Sequence, residues 1–278
     1  TVGGGLDLEN CTGITSLPDG LTVGGDLYLE NCTGITSLPD GLTVGGGLYL
    51  CGTGITSLPE GLTVEGGLDL SGTGITSLPH GLTVGGYLDL YGTGITSLPH
   101  GLTVGGYLNL ENCTGITSLP DGLTVGRFLN LHDSGITSLP NDLTVGGNLD
   151  LRDIGIISLP DDLTVGGTLD LENCTGITSL PEDLTVGGTL DLENCTGITS
   201  LPDGLIVGGD LYLHNSSITS LPNGLKVVGY LDLRGTGITS LPEGLTVGGN
   251  LDLKDCTGIT SLPVGMVVGG GLYNGLGH

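Results

Sequence analysis

The sequence predicts an all-β-rich solenoid, a stack of right-handed coils with one long parallel sheet, an extended and turn-built return path, and essentially no α-helix. Three observations predict it. A unit of 20 or 21 residues recurs thirteen times between Thr1 and Met266, with a partial unit over 267–278, and a fixed short period is the mark of a repeat architecture. All 13 prolines fall in the same Leu-Pro step of that unit, from Pro18 to Pro263. The apolar residues are almost all Leu, Ile and Val, with one Phe, one Met and no Trp, which is the material of a strand-built core.

The elements follow in order along one unit, LxLxx(T/C)xITSLPxxLTVGG. In Thr83–Leu102, Leu88 and Leu90 alternate with Tyr87, Asp89 and Tyr91, so the leucines point inward from a strand and the other three point out. Ile95 and Leu98 follow on the return path. Leu102 and Val104 alternate around Thr103, which predicts a second short extended stretch. Gly105 and Gly106 then supply a tight turn, where positive φ would exclude a Cβ. No segment carries a 3.6-residue period, and the recurrent Pro and Gly would break a helix. A lone coil cannot stand. Each of its six or so aliphatic side chains gains about 1.5–3 kcal/mol on full burial, against about 1–2 kcal/mol per residue for ordering the backbone. Stacking supplies the missing cover, so stability is a nearest-neighbour property. At about 4.8 Å per strand, fourteen coils would make a rod roughly 65 Å long.

No linker or composition shift interrupts the repeats, so a single solenoid domain over 1–278 is expected. The chain begins at Thr1 in mid-repeat, without Met or a signal-peptide pattern, and reads as mature, trimmed or a fragment of something longer. Its formal charge is −25, from 30 acids against 5 Lys and Arg, and every basic residue lies at or after Arg127. Nucleic acid is therefore excluded as a partner, and an anionic membrane surface is disfavoured. No apolar run reaches the roughly 18 residues of a membrane span. A basic or neutral partner, a divalent cation, or acid serving solubility alone is what the charge leaves open.

At LxLxx(T/C)xI the sequence resembles the leucine-rich repeat, and its period and ITSLP step resemble the short bacterial LPX subtype of secreted effectors and surface proteins. The resemblance covers the whole chain. It implies a protein-binding solenoid, bacterial or viral, extracellular or at the cell surface. Two departures stand out: Gly replaces the first Leu of the signature, with Val one position earlier, and the Asn-ladder position carries Thr, Ser or Cys. The ligase activity of some effectors is not implied, because it needs a separate catalytic domain.

Repeats of 21 residues place Cys11, Cys32, Cys113, Cys174, Cys195 or Cys256 at the ladder position, whereas six of the seven shorter ones place Thr53, Thr73, Thr93, Ser134, Ser216 or Thr236 there. Seven cysteines without a CxxC pair or a nearby His lack zinc spacing. In-register thiols point parallel, which suits a disulfide poorly, so they read as free structural groups making weak ladder hydrogen bonds; Cys51, on the outward parity, should be exposed. His80 and His100 stack in adjacent turns and read either as a metal or pH-sensing pair or as solvated turn residues. Outward Asp recurs at Asp69, Asp89, Asp150, Asp170, Asp191, Asp232 and Asp252, where like charges at strand spacing repel and calcium would relieve them. No nucleophile, base and orienting group assemble. The chain reads as no enzyme, with no cofactor and no metal site.

Outward strand positions change in nearly every repeat while core and turn positions barely change. Tyr87, Tyr91, Tyr107, Phe128, Arg127, His132 and Arg152 concentrate there, residue types that anchor interfaces, with Tyr28, Tyr49, Tyr212 and Tyr230 as outliers along the same face. A non-enzymatic protein-binding scaffold using this face is the leading reading. The alternative is a structural protein associating end to end, since the terminal repeats lack caps. The Thr row from Thr15 to Thr260, broken at Ile157, admits an ice-binding reading, although β-propensity and loop hydrogen bonding account for it too.

Overall fold

The computed structural model describes residues 1–182 and 184–274, so His278 and the rest of the partial repeat's end lie outside the described residues. These residues group into two compact units, 1–136 with 142–145 and 137–141 with 146–278. Both are parallel β-solenoids, with no helix among the described residues.

In the first unit the LxL segments form seven two-residue strands: Leu6–Asp7, Leu27–Tyr28, Leu48–Tyr49, Leu68–Asp69, Leu88–Asp89, Leu108–Asn109 and Leu129–Asn130. They pair in chain order, parallel and in register, leucine beside leucine. The Thr-Val segments, from Thr22–Val23 to Thr144–Val145, form a second parallel ladder of their own. In the second unit the same two ladders run from Leu149–Asp150 to Leu272–Asn274 and from Thr164–Val165 to Val267–Val268. The second extended stretch expected around Thr103 is thus a sheet in its own right. Parallel pairing follows from topology, because each strand meets its neighbour only after a complete coil.

The core is the one the alternation demands. Leu88, Leu90, Ile95, Leu98, Leu102 and Val104 are all at least nine-tenths buried. Thr103 between the last two is exposed, as are the Thr and Ser of each ITS step from Thr36 to Ser240.

Glycine at the GG pair has a different cause from the one expected. Neither Gly105 nor Gly106 has positive φ; a Cβ on Gly105 would lie 2.2 Å from the Gly85 carbonyl oxygen of the preceding coil. Close approach between coils selects glycine here, and the side chains that do occur in the pair, Glu65, Arg127 and Val228, are exposed. Positive φ belongs to two other places. One is the turn after Pro, as at Gly101 with φ 74°. The other follows the LxL strand, where Asn, Asp or Gly takes the left-handed conformation in all thirteen repeats, from Asn10 to Asp255. These residue types tolerate that region best.

Immediately after it comes the Thr/Cys ladder. Thr93 Oγ1 donates to the Leu90 carbonyl of its own coil at 2.8 Å, and Cys113 Sγ, one coil later, reaches back to the same oxygen at 3.0 Å. Cys32, Cys174, Cys195 and Cys256 likewise donate to carbonyls of the preceding coil. The extra residue of the 21-residue repeat thus travels with a thiol that bonds across coils and not within one. All seven thiols are free; Cys11 and Cys51 are partly exposed and the other five buried. Burial pushes the Cys174 and Cys195 thiols up to about 12. Ser134 and Ser216 occupy the same ladder position, yet their buried hydroxyls have no hydrogen-bond partner.

Candidate functional site on the strand face

Outward from the LxL strands stand three columns of side chains: before, between and after the two leucines. The middle column is mostly Asp or Asn for a local reason. Its side-chain oxygen accepts the N–H two residues on, as in Tyr91 to Asp89 at 2.9 Å, His132 to Asn130 at 3.0 Å and Arg234 to Asp232 at 3.0 Å. This is an Asx-type cap on the turn leading into the left-handed residue. The recurrent Asp, read above as a ligand column, therefore has a structural task in each coil.

In the second unit the column's charge is relieved from within. Arg152 donates from Nε and Nη2 to both oxygens of Asp150, and its Nε lies 3.4 Å from Asp170 Oδ2. Arg234 holds Asp232 in the same way and lies 3.9 Å from Asp252. Asp232 is wholly buried and Asp150 nearly so. Asp191, one coil past Asp170, has no such cover: burial first, then the charges of Asp170, Glu193 and Glu172, push its carboxyl up to about 6.

In the first unit the face carries tyrosine. The Tyr28 and Tyr49 rings stack at 4.7 Å and 7°, and the Tyr87 and Tyr107 rings at 4.7 Å and 1°. Both pairs need glycine beside them, since a Cβ on Gly47 would lie 2.7 Å from Tyr49 Oη and one on Gly67 would lie 2.2 Å from the Tyr87 ring. The Tyr28 hydroxyl donates to Asp26 Oδ2 at 3.0 Å. Burial, then Tyr49, push the Tyr87 hydroxyl above its usual value.

Of the residues singled out in the sequence, Tyr87 and Tyr107 are brought into contact, and Phe128 continues their column one coil further. Tyr91 stands in the third column and Arg127 in the glycine pair, both exposed. His132 Nε2 lies 3.0 Å from Asp133 Oδ2. Arg152 belongs to the second unit, where its guanidinium is engaged by Asp150. His80 and His100 are exposed turn residues. Sequence reasoning treated Tyr28 and Tyr49 as outliers. Their signal was the glycine at 47, which leaves space for the leaning Tyr49 ring. It also missed the asparagine ladder, in which Asn31 Nδ2 donates to Asn10 Oδ1 at 3.2 Å and Asn194 to Asn173 at 3.1 Å. Asn, Asp or Gly at that one position in every repeat would have revealed it.

Two depressions elsewhere, about 230 Å³ beside Ile206 and Lys226 and about 270 Å³ beside His100 and Asp121, fall below the usual range for small-molecule sites. No helix of the described residues is long and apolar enough to cross a membrane.

The repeat signature and the coil geometry agree. Each unit is a parallel β-solenoid built from a repeat that resembles the leucine-rich repeat. Residues 146–204 match a family model described as repeats of unknown function (DUF5649). No curated protein matches the chain. Among solved structures it is similar to the leucine-rich effector protein YopM from Yersinia pestis, at 15% identity and a TM-score of 0.41, over 97% of this chain and 88% of that one.

Proposed function

We propose that this chain is a non-enzymatic scaffold that holds a protein partner on its strand face, outside the cell or at its surface. The observation that carries this reading is the pair of tyrosine stacks in the first unit. Large rings, fixed in orientation by stacking and by neighbouring glycines, offer contact area at low entropic cost. They stand where the repeats vary, while the core beneath them is constant. The fold supports the reading in a second way: leucine-rich-repeat-like solenoids usually serve as scaffolds.

The test compares two triple variants of the full chain. Tyr87→Ser, Tyr107→Ser and Phe128→Ser strip the strand face; Thr83→Ala, Thr103→Ala and Thr124→Ala alter the second ladder. A partner lost by the first and kept by the second is expected. A partner held equally by both overturns the reading. Sedimentation across a concentration series separates loss of a foreign partner from loss of end-to-end self-association.

A further inference from the structure

We infer that the strand face around Asp69 and Asp89 is a guanidinium site, taking an arginine side chain of the partner polypeptide. The inference rests on the scaffold reading above and adds the partner's chemistry. It comes from comparing the molecule with itself. In the second unit, two Asp residues in register on adjacent strands, Asp150 with Asp170 and Asp232 with Asp252, each share an arginine. In both cases that arginine stands two residues after the first Asp, at 152 and 234.

Asp69 and Asp89 make the same in-register pair in the first unit. Two residues after Asp69, where the arginine belongs, stands Ser71. The Oδ1 atoms are used by the turn: Ser71 N–H donates to Asp69 at 2.9 Å, and Tyr91 N–H and the Asn109 amide donate to Asp89 at 2.9 and 3.0 Å. In Asp150 and Asp232 the Oδ2 atoms receive the arginine Nη2; among the described residues no arginine pairs with Asp69 or Asp89. Residues 1–126 contain twelve acids and no Lys or Arg, so the first 126 residues cannot supply one.

The surroundings suit the same guest. Tyr49 lies in register with Asp69 on one side, and the Tyr87–Tyr107 stack stands in the column beside Asp89. A guanidinium bound between two carboxylates can lie against tyrosine rings, adding a cation–π contribution. One coil before Tyr49, Glu30 has a buried carboxylate oxygen with no hydrogen-bond partner. Charge from Glu9, Asp69 and Asp7 adds to its burial in disfavouring its ionised form. A further cationic side chain on the same partner would relieve it. The planar fork of arginine fits a paired-carboxylate site better than the point charge of lysine, so the site discriminates between the two.

The test is a titration of the full chain with a short peptide carrying alternating Gly and Arg, against its Lys and citrulline counterparts, followed by calorimetry. The expected order is arginine over lysine, with citrulline silent. Ser71→Arg builds the second unit's arrangement into the first. It is expected to raise the melting temperature and to weaken arginine-peptide binding about tenfold, the equivalent of 1.4 kcal/mol. Asp69→Asn with Asp89→Asn is expected to weaken it similarly while leaving the fold intact by circular dichroism. Equal binding of the peptide to wild type and Ser71→Arg overturns the inference, as does equal binding of the arginine and citrulline peptides. A protein partner that keeps its dependence on Tyr87 and Tyr107 but binds Ser71→Arg unchanged sinks the arginine site and leaves the scaffold reading standing.

Discussion

The two units solve one electrostatic problem in two ways. Both stack acids at strand spacing, where neighbouring carboxylates repel. The second unit inserts Arg152, Arg234 and Lys254 beside its Asp column, and Lys254 Nζ lies 3.8 Å from Asp252. The first unit dilutes the column instead, with Tyr28, Tyr49, Asn109 and Asn130 at middle positions, and the Asn109 amide donates to Asp89 and the Asn130 amide to Glu111. A guanidinium neutralises, whereas tyrosine and amide only separate. The first strand face is therefore left acidic and aromatic, whereas the second, which keeps Tyr212, Tyr230 and an uncovered Asp191, satisfies its Asp150–Asp170 and Asp232–Asp252 pairs from within. One backbone supports an outward-reaching surface and a closed one, decided by single residues two positions past an Asp.

The largest expected effect breaks the second unit's solution. Arg234→Ala leaves Asp232 without its partner in a site where the carboxylate is wholly covered, and should cost about 2 kcal/mol in chemical unfolding. Asn109→Ala in the first unit should cost less, since Asp89 keeps the Tyr91 N–H.

Acidity sharpens the contrast next. The Asp191 carboxyl is raised to about 6 in the folded chain, above its unfolded value. The stabilisation linked to its protonation is complete below the unfolded value near 4 and is lost as pH rises through about 6. Asp89, Asp170 and Glu30 shift in the same direction. The melting temperature should therefore climb as pH falls from 7.5 to 5, and Asp191→Asn should flatten that climb. A melting temperature that falls over this interval would show that the raised carboxyls do not govern it.

Smaller still are the ladder hydroxyls. Thr93→Val loses a 2.6–2.8 Å type of bond to a buried carbonyl, here 2.8 Å, and should cost about 1 kcal/mol. Ser134→Ala in the first unit and Ser216→Ala in the second remove hydroxyls that bond to nothing, and should leave unfolding midpoints unchanged or slightly higher. Least perturbing is thiol labelling at pH 8. Cys11 and Cys51 should react in the native protein, whereas Cys174 and Cys195, raised to about 12 and buried, should react only after unfolding.

Much of this architecture was legible in the sequence because period and alternation are properties of a single coil. Leu88 and Leu90 facing inward, Val104 in a second extended stretch and Cys113 in a buried ladder all follow from one repeat read closely. What escaped depends on the distance between coils. Clearance of 2.2 Å at Gly105 cannot be seen without the neighbour's backbone, so positive φ was the wrong reason for the right residue. The same holds for the Tyr28–Tyr49 stack and for the guanidinium of Arg152, which is shared between Asp residues 20 positions apart. The candidate site was half legible. Its tyrosines were visible, but the acids beside them looked like a metal column until the turn geometry showed what each Asp does locally.

The loop that carries Asn and Cys has a consequence for ancestry. Repeat length varies only there, by one residue, and the thiol that comes with the insertion finds its acceptor in the coil before it. Every other position keeps its axial partner whichever length is used. Whole units can thus be duplicated or deleted with the backbone ladders and core kept in register, wherever the strand-face neighbours of the new junction also fit. Copy number is thereby decoupled from the packing inside each coil.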